Sequence, residues 1–317
     1  MRRAGIISAR MNCSVVIPVY RGEETLESLI EQLGTVLPQV AEVYEFILIN
    51  DGSPDNSWEI IGRLASQHDW VRGIALMRNY GQENATLCGI RAARYDVIVT
   101  MDDDLQHNPE ELPKLLSKLD EGYDVVYGVP RTRRQTWWKS ILSTVVKRAI
   151  SSVIGLPAIR DMSSYKAFRA SLKPAFAGIT SPDVQIDVLL SWGTTRFAAV
   201  QIEEATRKAG RSNYNINKLI KVSLLILTNY TTIPLRFASI LGFLFTIFGF
   251  IVLVYVVTVF FTVGSIPGFS FLASAITIFS GVQLFGLGII GEYLARMFER
   301  TSGKQPYIVM KTTGAGE

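Results

Sequence analysis

The chain has 317 residues, of which 48% are hydrophobic, and its formal net charge is +4. This modest charge gives no indication of nucleic-acid binding, and two histidines are too few for a histidine-rich metal cluster. The two cysteines each lie in an apolar segment, which is typical of core residues in a reducing compartment. The hydrophobic content predicts one large soluble domain with a lipid-embedded appendage. Residues 1–11 lack the apolar core of a signal peptide, and we interpret them as a loose basic tail.

Short β-rich runs alternate with amphipathic stretches through the first 130 residues. The pattern predicts strands at residues 13–18, 44–49, 71–77, 97–100 and 125–127. It predicts helices at residues 23–37, around 58–64, 82–93 and 109–120, with Asp55 or Asn56 as the N-cap of the second helix. Strands that alternate with helices indicate an α/β fold in which helices cover both faces of a parallel sheet.

Three consecutive carboxylates, Asp102, Asp103 and Asp104, follow the predicted strand at residues 97–100. Open α/β sheets bind their ligands at the carboxyl ends of the strands. In an extended chain Asp102 and Asp104 point the same way and Asp103 points elsewhere. Two such carboxylates suit a hard divalent cation that takes its other oxygen ligands from water and a nucleotide diphosphate. The alternative is a solvated acidic turn that caps the following helix.

Two common nucleotide-binding motifs are absent from the sequence. No G-x-G-x-x-G follows the first predicted strand, and no G-x-x-x-x-G-K-[ST] occurs. Dinucleotide redox chemistry and P-loop phosphoryl transfer therefore lose most of their support.

The C-terminal third contains no Lys, Arg, Asp, Glu or His from residue 237 to residue 291. Two apolar runs, at 235–263 and 269–290, are each long enough to cross a membrane as a helix. A buried helical pair in a soluble protein is the alternative, which a charge-free stretch of this length disfavours. Positive residues outside both runs predict that both chain ends and the soluble domain are cytoplasmic. These residues are Arg207, Lys208, Arg211, Lys218, Lys221 and Arg236 before the first run, and Arg296, Arg300 and Lys304 after the second.

The predicted organisation is a cytosolic α/β domain at residues 12–212, membrane-interface helices at 213–234, two transmembrane helices at 235–298 and a cytosolic tail at 299–317. Residues 215–230 mix aliphatic side chains with two lysines, which favours a helix along the membrane surface. Residues 137–154, which begin with two tryptophans, fit a second surface helix and a helix packed on the sheet equally well.

Several segments in order along nearly the whole chain carry a family resemblance. They are Ser14-Val-Val-Ile-Pro-Val-Tyr20 with Glu23, Asn50-Asp-Gly-Ser53 with Asp55, Arg78-Asn-Tyr-Gly81, Met101-Asp-Asp-Asp-Leu-Gln106, Asp161-Met-Ser-Ser-Tyr-Lys-Ala-Phe168, Arg207 with Gly210-Arg-Ser-Asn-Tyr214, Ile233-Pro-Leu-Arg236, Gly281-Val-Gln-Leu284, and Gly291-Glu-Tyr-Leu294 with Arg296. Together they resemble family 2 glycosyltransferases that act on polyprenyl phosphates, including dolichyl-phosphate mannosyltransferases and bacterial undecaprenyl-phosphate glucosyltransferases. The resemblance implies a GT-A Rossmann-like domain that uses a nucleotide sugar and Mg²⁺ or Mn²⁺.

The resemblance also implies roles for individual residues. Asp104 and Gln106 are expected as direct metal ligands, with Asp102 near both the metal and the ribose. Asp103 occupies a position that is often a small residue in the family, and its charge either tightens metal binding or faces solvent. The residues expected to bind the donor are Pro18, Tyr20, Glu23, Asp51, Arg78, Asn79, Asp102, Asp103, Arg207, Arg211 and Ser212, with the first four of these in the nucleoside pocket.

Further cations are needed because donor and acceptor both carry phosphates. Arg131, Arg133 and Arg134 are our candidates for holding the polyprenyl phosphate, and a solvated loop or a patch for anionic lipid is the alternative. Asp161 is assigned a possible role as a base or positioning group. Ser163 and Ser164 are assigned possible hydrogen bonds to phosphate.

The implied reaction is attack of an acceptor phosphate oxygen on the anomeric carbon, with inversion and loss of a nucleoside diphosphate. UDP-glucose is the first candidate donor, and UDP-N-acetylhexosamines, UDP-aminoarabinose derivatives and GDP-mannose stay open. A separate flippase, a downstream glycosyltransferase and a homotetramer are expected partners or assemblies. The alternatives are a processive polysaccharide synthase, whose Q-x-x-R-W element this sequence lacks, and a non-catalytic membrane anchor of the same fold.

Overall fold

The computed structural model describes residues 11–131, 163–203, 232–264 and 268–314. These residues fall into two compact units, which we describe separately. The first unit contains the described residues up to 203 and from 303 onward, and the second contains those from 232 to 302. The helices predicted at 137–154 and 215–230 lie outside the described residues.

An eight-stranded sheet forms the centre of the first unit, with the strand order β7-β5-β6-β4-β1-β2-β3-β8. The strands are β1 (Met11–Val19), β2 (Ala41–Asn50), β3 (Val71–Leu76), β4 (Val97–Thr100), β5 (Val125–Pro130), β6 (Lys166–Arg169), β7 (Phe197–Ile202) and β8 (Val309–Thr313). β6 and β8 pair antiparallel with their neighbours, whereas the other pairs are parallel. The sheet is therefore mixed but mostly parallel.

Helices cover both faces of the sheet, as the sequence predicted. They are α1 (Leu26–Val40), α2 (Ser57–Gln67), α3 (Gln82–Ala92), α4 (Leu112–Asp120), α5 (Pro174–Ala177) and α6 (Ile186–Gly193). Val15 of β1 packs in one core with Leu29 of α1, and the next residue, Val16, packs in the other core with Leu87 of α3. Because successive side chains of a strand point to opposite faces, a continuous apolar run is what a strand buried on both sides requires.

Three strands, β6, β7 and β8, were not predicted from the sequence. β6 begins with Lys166 and ends with Arg169, so it lacks the apolar run that indicates a buried strand. β8 lies in the segment predicted as a cytosolic tail, and it pairs with β3 in a register that places Lys311 opposite Ala75. The C-terminal segment is therefore part of the sheet.

Two helix starts differ in detail from the prediction. The helix predicted from residue 109 begins as a 3-10 turn at Pro109–Glu111, where Asn108 Oδ1 accepts a 3.0 Å hydrogen bond from Glu110 N. Asn56 occupies the N-cap position of α2 without a side-chain cap bond. Asp55 Oδ1 instead accepts a 3.3 Å hydrogen bond from the backbone N of Ser57.

The second unit contains two long helices, α7 (Ile233–Val263) and α8 (Phe269–Thr301). Both are long and apolar enough to cross a membrane, with mean hydropathies of 2.8 and 1.4 over their candidate spans. α8 continues beyond the predicted apolar run. Its last turns contain Glu292 and Arg296, whose side chains form a 2.9 Å ion pair at i,i+4 spacing.

Candidate active site

The carboxyl ends of β1, β2 and β4 open into a cleft of about 510 Å³. This volume is in the range of sites that bind small molecules. The lining residues are Pro18, Val19, Tyr20, Asp51, Asn79, Gly81, Gln82, Asp102, Asp103 and Asp104. Residues proposed from the sequence for the nucleoside pocket and the acidic motif therefore meet at one edge of the sheet.

The acidic motif turns at Leu105, whose φ of +60° lies in the left-handed region. This turn brings Gln106 back to Asp104: Asp104 Oδ1 accepts a 3.1 Å hydrogen bond from Gln106 N, and the Gln106 side-chain amide donates to Asp104 Oδ2. All three aspartates line the cleft. The motif bends after Asp102 and does not stay extended. Asp103 has a different hydrogen-bond partner from Asp102 and Asp104.

Both oxygens of the Asp102 carboxylate accept a hydrogen bond from another element. Gln82 Nε2, at the start of α3, donates to Oδ1 at 2.6 Å, and Ser164 Oγ donates to Oδ2 at 2.7 Å. Ser164 lies just before β6, and the antiparallel direction of β6 brings this end to the edge where β4 finishes. The two donors fix the carboxylate, while each oxygen keeps a second lone pair for a ligand.

Asp103 is partly buried in the cleft wall. Its Oδ2 accepts a 3.3 Å hydrogen bond from the backbone N of Tyr20, and a Cβ added at Gly22 would lie 2.7 Å from the same oxygen. Burial, reinforced by the charges of Asp102 and Asp104, raises the pKa of Asp103 to about 7.

Asp51 fixes the loop that precedes α3. Its side chain is 3% exposed, and its two oxygens accept hydrogen bonds from Tyr80 N at 2.7 Å and Gly81 N at 2.9 Å. Burial raises the pKa of Asp51, and the two backbone N–H groups act in the opposite direction. The next residue, Gly52, has a φ of +62°, and a Cβ there would lie 2.5 Å from the carbonyl carbon of Arg78. Only glycine allows this approach without a shift of the backbone.

Glu23 and Arg78 make contacts outside the lining of the cleft. Glu23 Oε2 accepts hydrogen bonds from Asn56 N at 3.1 Å and Asn56 Nδ2 at 3.2 Å, which joins the loops after β1 and β2. The Arg78 guanidinium lies 4.7 Å from the centre of the Tyr80 ring. Both residues therefore contact the loops around the cleft, and the direct donor contacts that the resemblance implies stay predictions.

Arg131 follows β5, which ends at the same edge of the sheet as β4 because both strands run antiparallel to β6. Its guanidinium is exposed and lies 4.0 Å from the Glu203 carboxylate. Ser163 Oγ accepts a 3.2 Å hydrogen bond from Tyr165 N. The remaining candidates, Arg133, Arg134, Asp161, Arg207, Arg211 and Ser212, lie outside the described residues.

The oxygen groups of the acidic motif fit a small hard cation. Among the described residues, no three His, Cys, Asp or Glu side chains form a complete metal cage. Mg²⁺ and Mn²⁺ do not need one, since they commonly bind one or two carboxylates and take further oxygens from water and substrate phosphates. Asp102 and Asp104 supply such carboxylates on the cleft wall. The Gln106 side-chain amide donates to Asp104 Oδ2, and the direct metal ligation by Gln106 that the resemblance implies stays a prediction.

Sequence reasoning did not single out Gln82 or the structural role of His107. His107 Nδ1 accepts a 3.3 Å hydrogen bond from the backbone N of Asp102, and its ring stacks on Tyr165 with 5.0 Å between the ring centres. A signal for Gln82 was available, because it is the first residue of a predicted helix that starts at the ligand edge of the sheet.

GT-A glycosyltransferases hold nucleotide sugars with carboxylates that follow the central strand of a mostly parallel sheet. The fold and the cleft of this chain define a protein of the GT-A class. Residues 14–172 match the model of glycosyl transferase family 2, and the chain belongs to this family. The expected family, fold and enzyme class are therefore confirmed.

Two known proteins illustrate the relationship. The undecaprenyl-phosphate 4-deoxy-4-formamido-L-arabinose transferase of Proteus mirabilis (strain HI4320) is 33% identical over 309 residues, which cover 95% of this chain and 94% of the relative. Glucosyl-3-phosphoglycerate synthase of Mycobacterium tuberculosis has the same fold at 20% identity. Its complex with phosphoglyceric acid gives a TM-score of 0.51, and its complex with Mn²⁺, UDP and glucosyl-3-phosphoglycerate gives 0.52, each over 72% of this chain and 84% of the other.

Proposed function

We propose that this glycosyltransferase transfers a sugar from a UDP-sugar to polyprenyl phosphate, namely undecaprenyl phosphate, at the cytoplasmic face of the inner membrane. An oxygen of the acceptor phosphate forms a bond to the anomeric carbon, and the bond from that carbon to the diphosphate breaks. UDP leaves with the electron pair. A single displacement inverts the anomeric centre, so an α-linked donor gives a β-linked polyprenyl-phosphate sugar.

The observation that carries this proposal is the placement of Asp102 and Asp104 on one wall of a nucleotide-sized cleft, in a chain that also contains two helices long and apolar enough to cross a membrane. The cleft suits a metal-bound diphosphate. The helices suit an acceptor that stays in the bilayer. A polyprenyl chain cannot leave the membrane readily, since exposing each methylene to water costs about 0.8 kcal/mol.

The Proteus mirabilis relative supports the acceptor. Its name specifies undecaprenyl phosphate, and the likeness extends over 95% of this chain, so it includes both apolar helices as well as the sheet. The Mycobacterium tuberculosis complex that contains Mn²⁺ and UDP supports the cofactor and the nucleotide.

Asp102 and Asp104 are the residues that would hold Mg²⁺ or Mn²⁺, which when bound stabilises negative charge on the leaving diphosphate. Gln82, Ser164 and Gln106 keep the two carboxylates in place. Tyr20 and Asn79 lie on the cleft wall where the nucleoside would bind. Arg207 and Arg211 are proposed to bind the diphosphate, because a guanidinium fork matches two phosphate oxygens.

The acceptor requires a cation more than a strong base. A phosphate monoester has a second pKa of about 6 and is mostly ionised near neutral pH. Arg131, Arg133 and Arg134 are therefore assigned to hold the acceptor phosphate. Asp161 is assigned to orient the attacking oxygen.

The topology follows from charge on the flanks of the apolar helices. Arg236 precedes the charge-free stretch, and Arg296 and Arg300 follow it. Because positive flanks remain on the cytoplasmic side, we propose that both termini and the cleft face the cytoplasm. The lipid-linked product then needs a separate flippase and a downstream glycosyltransferase.

UDP-glucose is the first candidate donor. UDP-4-deoxy-4-formamido-L-arabinose is the second, and the name of the Proteus mirabilis relative favours it. Membranes containing the full chain would be incubated with each radiolabelled donor, undecaprenyl phosphate and Mn²⁺, and then extracted with organic solvent. Label in an acid-labile lipid that requires added undecaprenyl phosphate supports the proposal. Label only in long polymer, or in no lipid with either donor, would exclude it for these substrates.

A further inference from the structure

Glu83 follows Gln82 in α3 and belongs to a group of charged residues. Glu83 Oε2 accepts a 3.0 Å hydrogen bond from the backbone N of Ile186, the first residue of α6. Burial raises the pKa of Glu83, and the nearby Lys166 charge acts in the opposite direction. Glu83 thus joins the start of α3 to the start of α6.

Lys166 is the cation of this group and is only 4% exposed. Its ammonium forms an ion pair with Asp187 Oδ1, and it lies 5.5 Å from the centre of the Tyr127 ring. The Tyr127 hydroxyl donates a 3.0 Å hydrogen bond to the same Asp187 oxygen. A buried ion pair persists where its charged atoms have such additional partners.

Glu83 and Lys166 border a small cavity that Asp102 of the acidic motif also lines. The cavity has a volume of about 20 Å³, and Gln82, Glu83, Asp102, Ser164 and Lys166 all contribute to its wall. Among the described residues that line it, Lys166 is the only cation, and Glu83 and Asp102 are the only carboxylates. Glu83, Lys166 and Asp102 therefore border the same small cavity.

The two donors that fix Asp102 lie on the elements that carry this group. Gln82 precedes Glu83 on α3, and Ser164 lies two residues before Lys166 at the start of β6. A movement of either element would lengthen one of the two hydrogen bonds to Asp102. We propose that Glu83, Lys166 and Asp187 form a support cluster whose contacts hold Gln82 and Ser164 at the separation that orients Asp102 for metal binding.

This inference rests on the proposed role of Asp102 in the metal site, and it makes Glu83 and Lys166 positioning residues. Residues of this kind typically change metal affinity or activity by about 10–100-fold when they are replaced. A cluster that serves only the stability of the fold would leave the metal affinity of a folded variant unchanged. The two roles can therefore be separated by measuring Mn²⁺ binding.

The test uses the full chain in detergent, with Mn²⁺ affinity measured by electron paramagnetic resonance in the presence of UDP. The main variant combines Lys166→Met with Asp187→Leu. Removing both members of the ion pair leaves neither of them as an unpaired buried charge, and Glu83 keeps its hydrogen bond from Ile186 N. We expect the Mn²⁺ dissociation constant to rise by about 10–100-fold, with the melting temperature close to wild type. An unchanged Mn²⁺ dissociation constant in the folded double variant would overturn the proposal.

Glu83→Leu provides a second variant should the double variant fail to fold. It removes the acceptor for Ile186 N, and we expect weaker Mn²⁺ binding. Glu83→Gln retains an acceptor oxygen and should restore near wild-type affinity. Equal, wild-type affinities in both Glu83 variants would also overturn the proposal.

A matched control removes a different ion pair, in which Glu45 is buried and Arg72 is partly buried. Arg72 Nη1 lies 2.8 Å from Glu45 Oε2, and neither residue lines the cleft or the small cavity. The folded double variant Arg72→Met and Glu45→Leu should bind Mn²⁺ with the same affinity as wild type. Because the readout needs no acceptor, it is independent of the proposed reaction. A wild type that makes no lipid product contradicts the reaction alone, and an unchanged Mn²⁺ affinity contradicts the support cluster alone.

Discussion

Ser164 and Asp102 are 62 positions apart in the sequence, and a 2.7 Å hydrogen bond joins the Ser164 hydroxyl to Asp102 Oδ2. The contact exists because β6 inserts antiparallel between β4 and β5. A parallel strand at this position would bring its carboxyl end to the cleft and carry Ser164 to the opposite edge. The direction of one short strand thus determines which side chain orients the first carboxylate of the acidic motif.

Gly52→Ala should damage the cleft by displacing the loop before α3. The new Cβ would meet the Arg78 backbone at 2.5 Å, and the φ of +62° is unfavourable for alanine. We expect a loss of stability of roughly 1–3 kcal/mol from the strain and weaker UDP binding. Thermal unfolding and isothermal titration with UDP and Mn²⁺ would measure the two effects.

Gly62→Ala is the matched control for this substitution. Gly62 lies inside α2, and a Cβ there would meet nothing within 4 Å. Because alanine favours a helix more than glycine by about 1 kcal/mol, the variant should be as stable as wild type or slightly more stable. If Gly52→Ala and Gly62→Ala had the same stability and the same UDP affinity, the close approach of residue 52 to the Arg78 backbone would not be important for the cleft.

Much of the sheet could be predicted because its central strands are apolar on both faces. The predicted strand at 97–100 matches β4, and Val97, Ile98 and Val99 are almost fully buried. β6 could not be found in this way, since Lys166 and Arg169 interrupt the apolar pattern. The burial of Lys166 depends on Asp187, which is 21 positions away, and periodicity does not reveal such a partner.

The acidic motif itself was found from its position after a strand, but its geometry was not. Local spacing suggested an extended segment, whereas Leu105 adopts a positive φ that sequence patterns rarely indicate. The turn places Asp103 in the cleft wall and Gln106 behind Asp104. The contacts of these carboxylates therefore depend on where the backbone turns.

Asp124 should make stability depend on acidic pH. Arg196 donates to both Asp124 oxygens, at 2.7 and 2.9 Å. These hydrogen bonds lower the pKa of Asp124 from its usual value of 3.8. A depressed carboxyl pKa contributes stability above the unfolded-state value, and that contribution is lost as pH falls through the lower folded-state value.

The comparison is between wild type and Asp124→Asn in thermal unfolding from pH 6 to the lowest pH at which the protein stays soluble. Wild type should be more stable at pH 6, and the difference should shrink below about pH 4. Asp69 is exposed and provides a control. The stability of Asp69→Asn should change with pH in the same way as that of wild type. A constant difference between wild type and Asp124→Asn across this range would contradict the assignment.

Removal of residues 305–317 should destabilise the first unit, since it deletes β8. Lys311 Nζ lies 4.9 Å from the centre of the Trp58 ring, and Tyr307 contacts Arg91 through a 3.5 Å hydrogen bond. The truncation would also leave the hydrogen-bonding edge of β3 exposed, which favours aggregation. We expect a lower melting temperature and more aggregation on size-exclusion chromatography, whereas removal of residues 315–317 alone should change neither. Wild-type behaviour of the longer truncation would show that β8 is dispensable for the sheet.

The most direct measurement is the formation of lipid-linked sugar by Asp104→Asn, compared with wild type and Asp69→Asn in membranes at saturating Mn²⁺. Loss of one carboxylate from the metal site should lower the rate by about a hundredfold or more. Asp69→Asn should match wild type. The account predicts that undecaprenyl phosphate is glycosylated by wild type and that this activity is lost with the Asp104 carboxylate. A wild-type rate of lipid-linked sugar formation in Asp104→Asn would contradict the central claim.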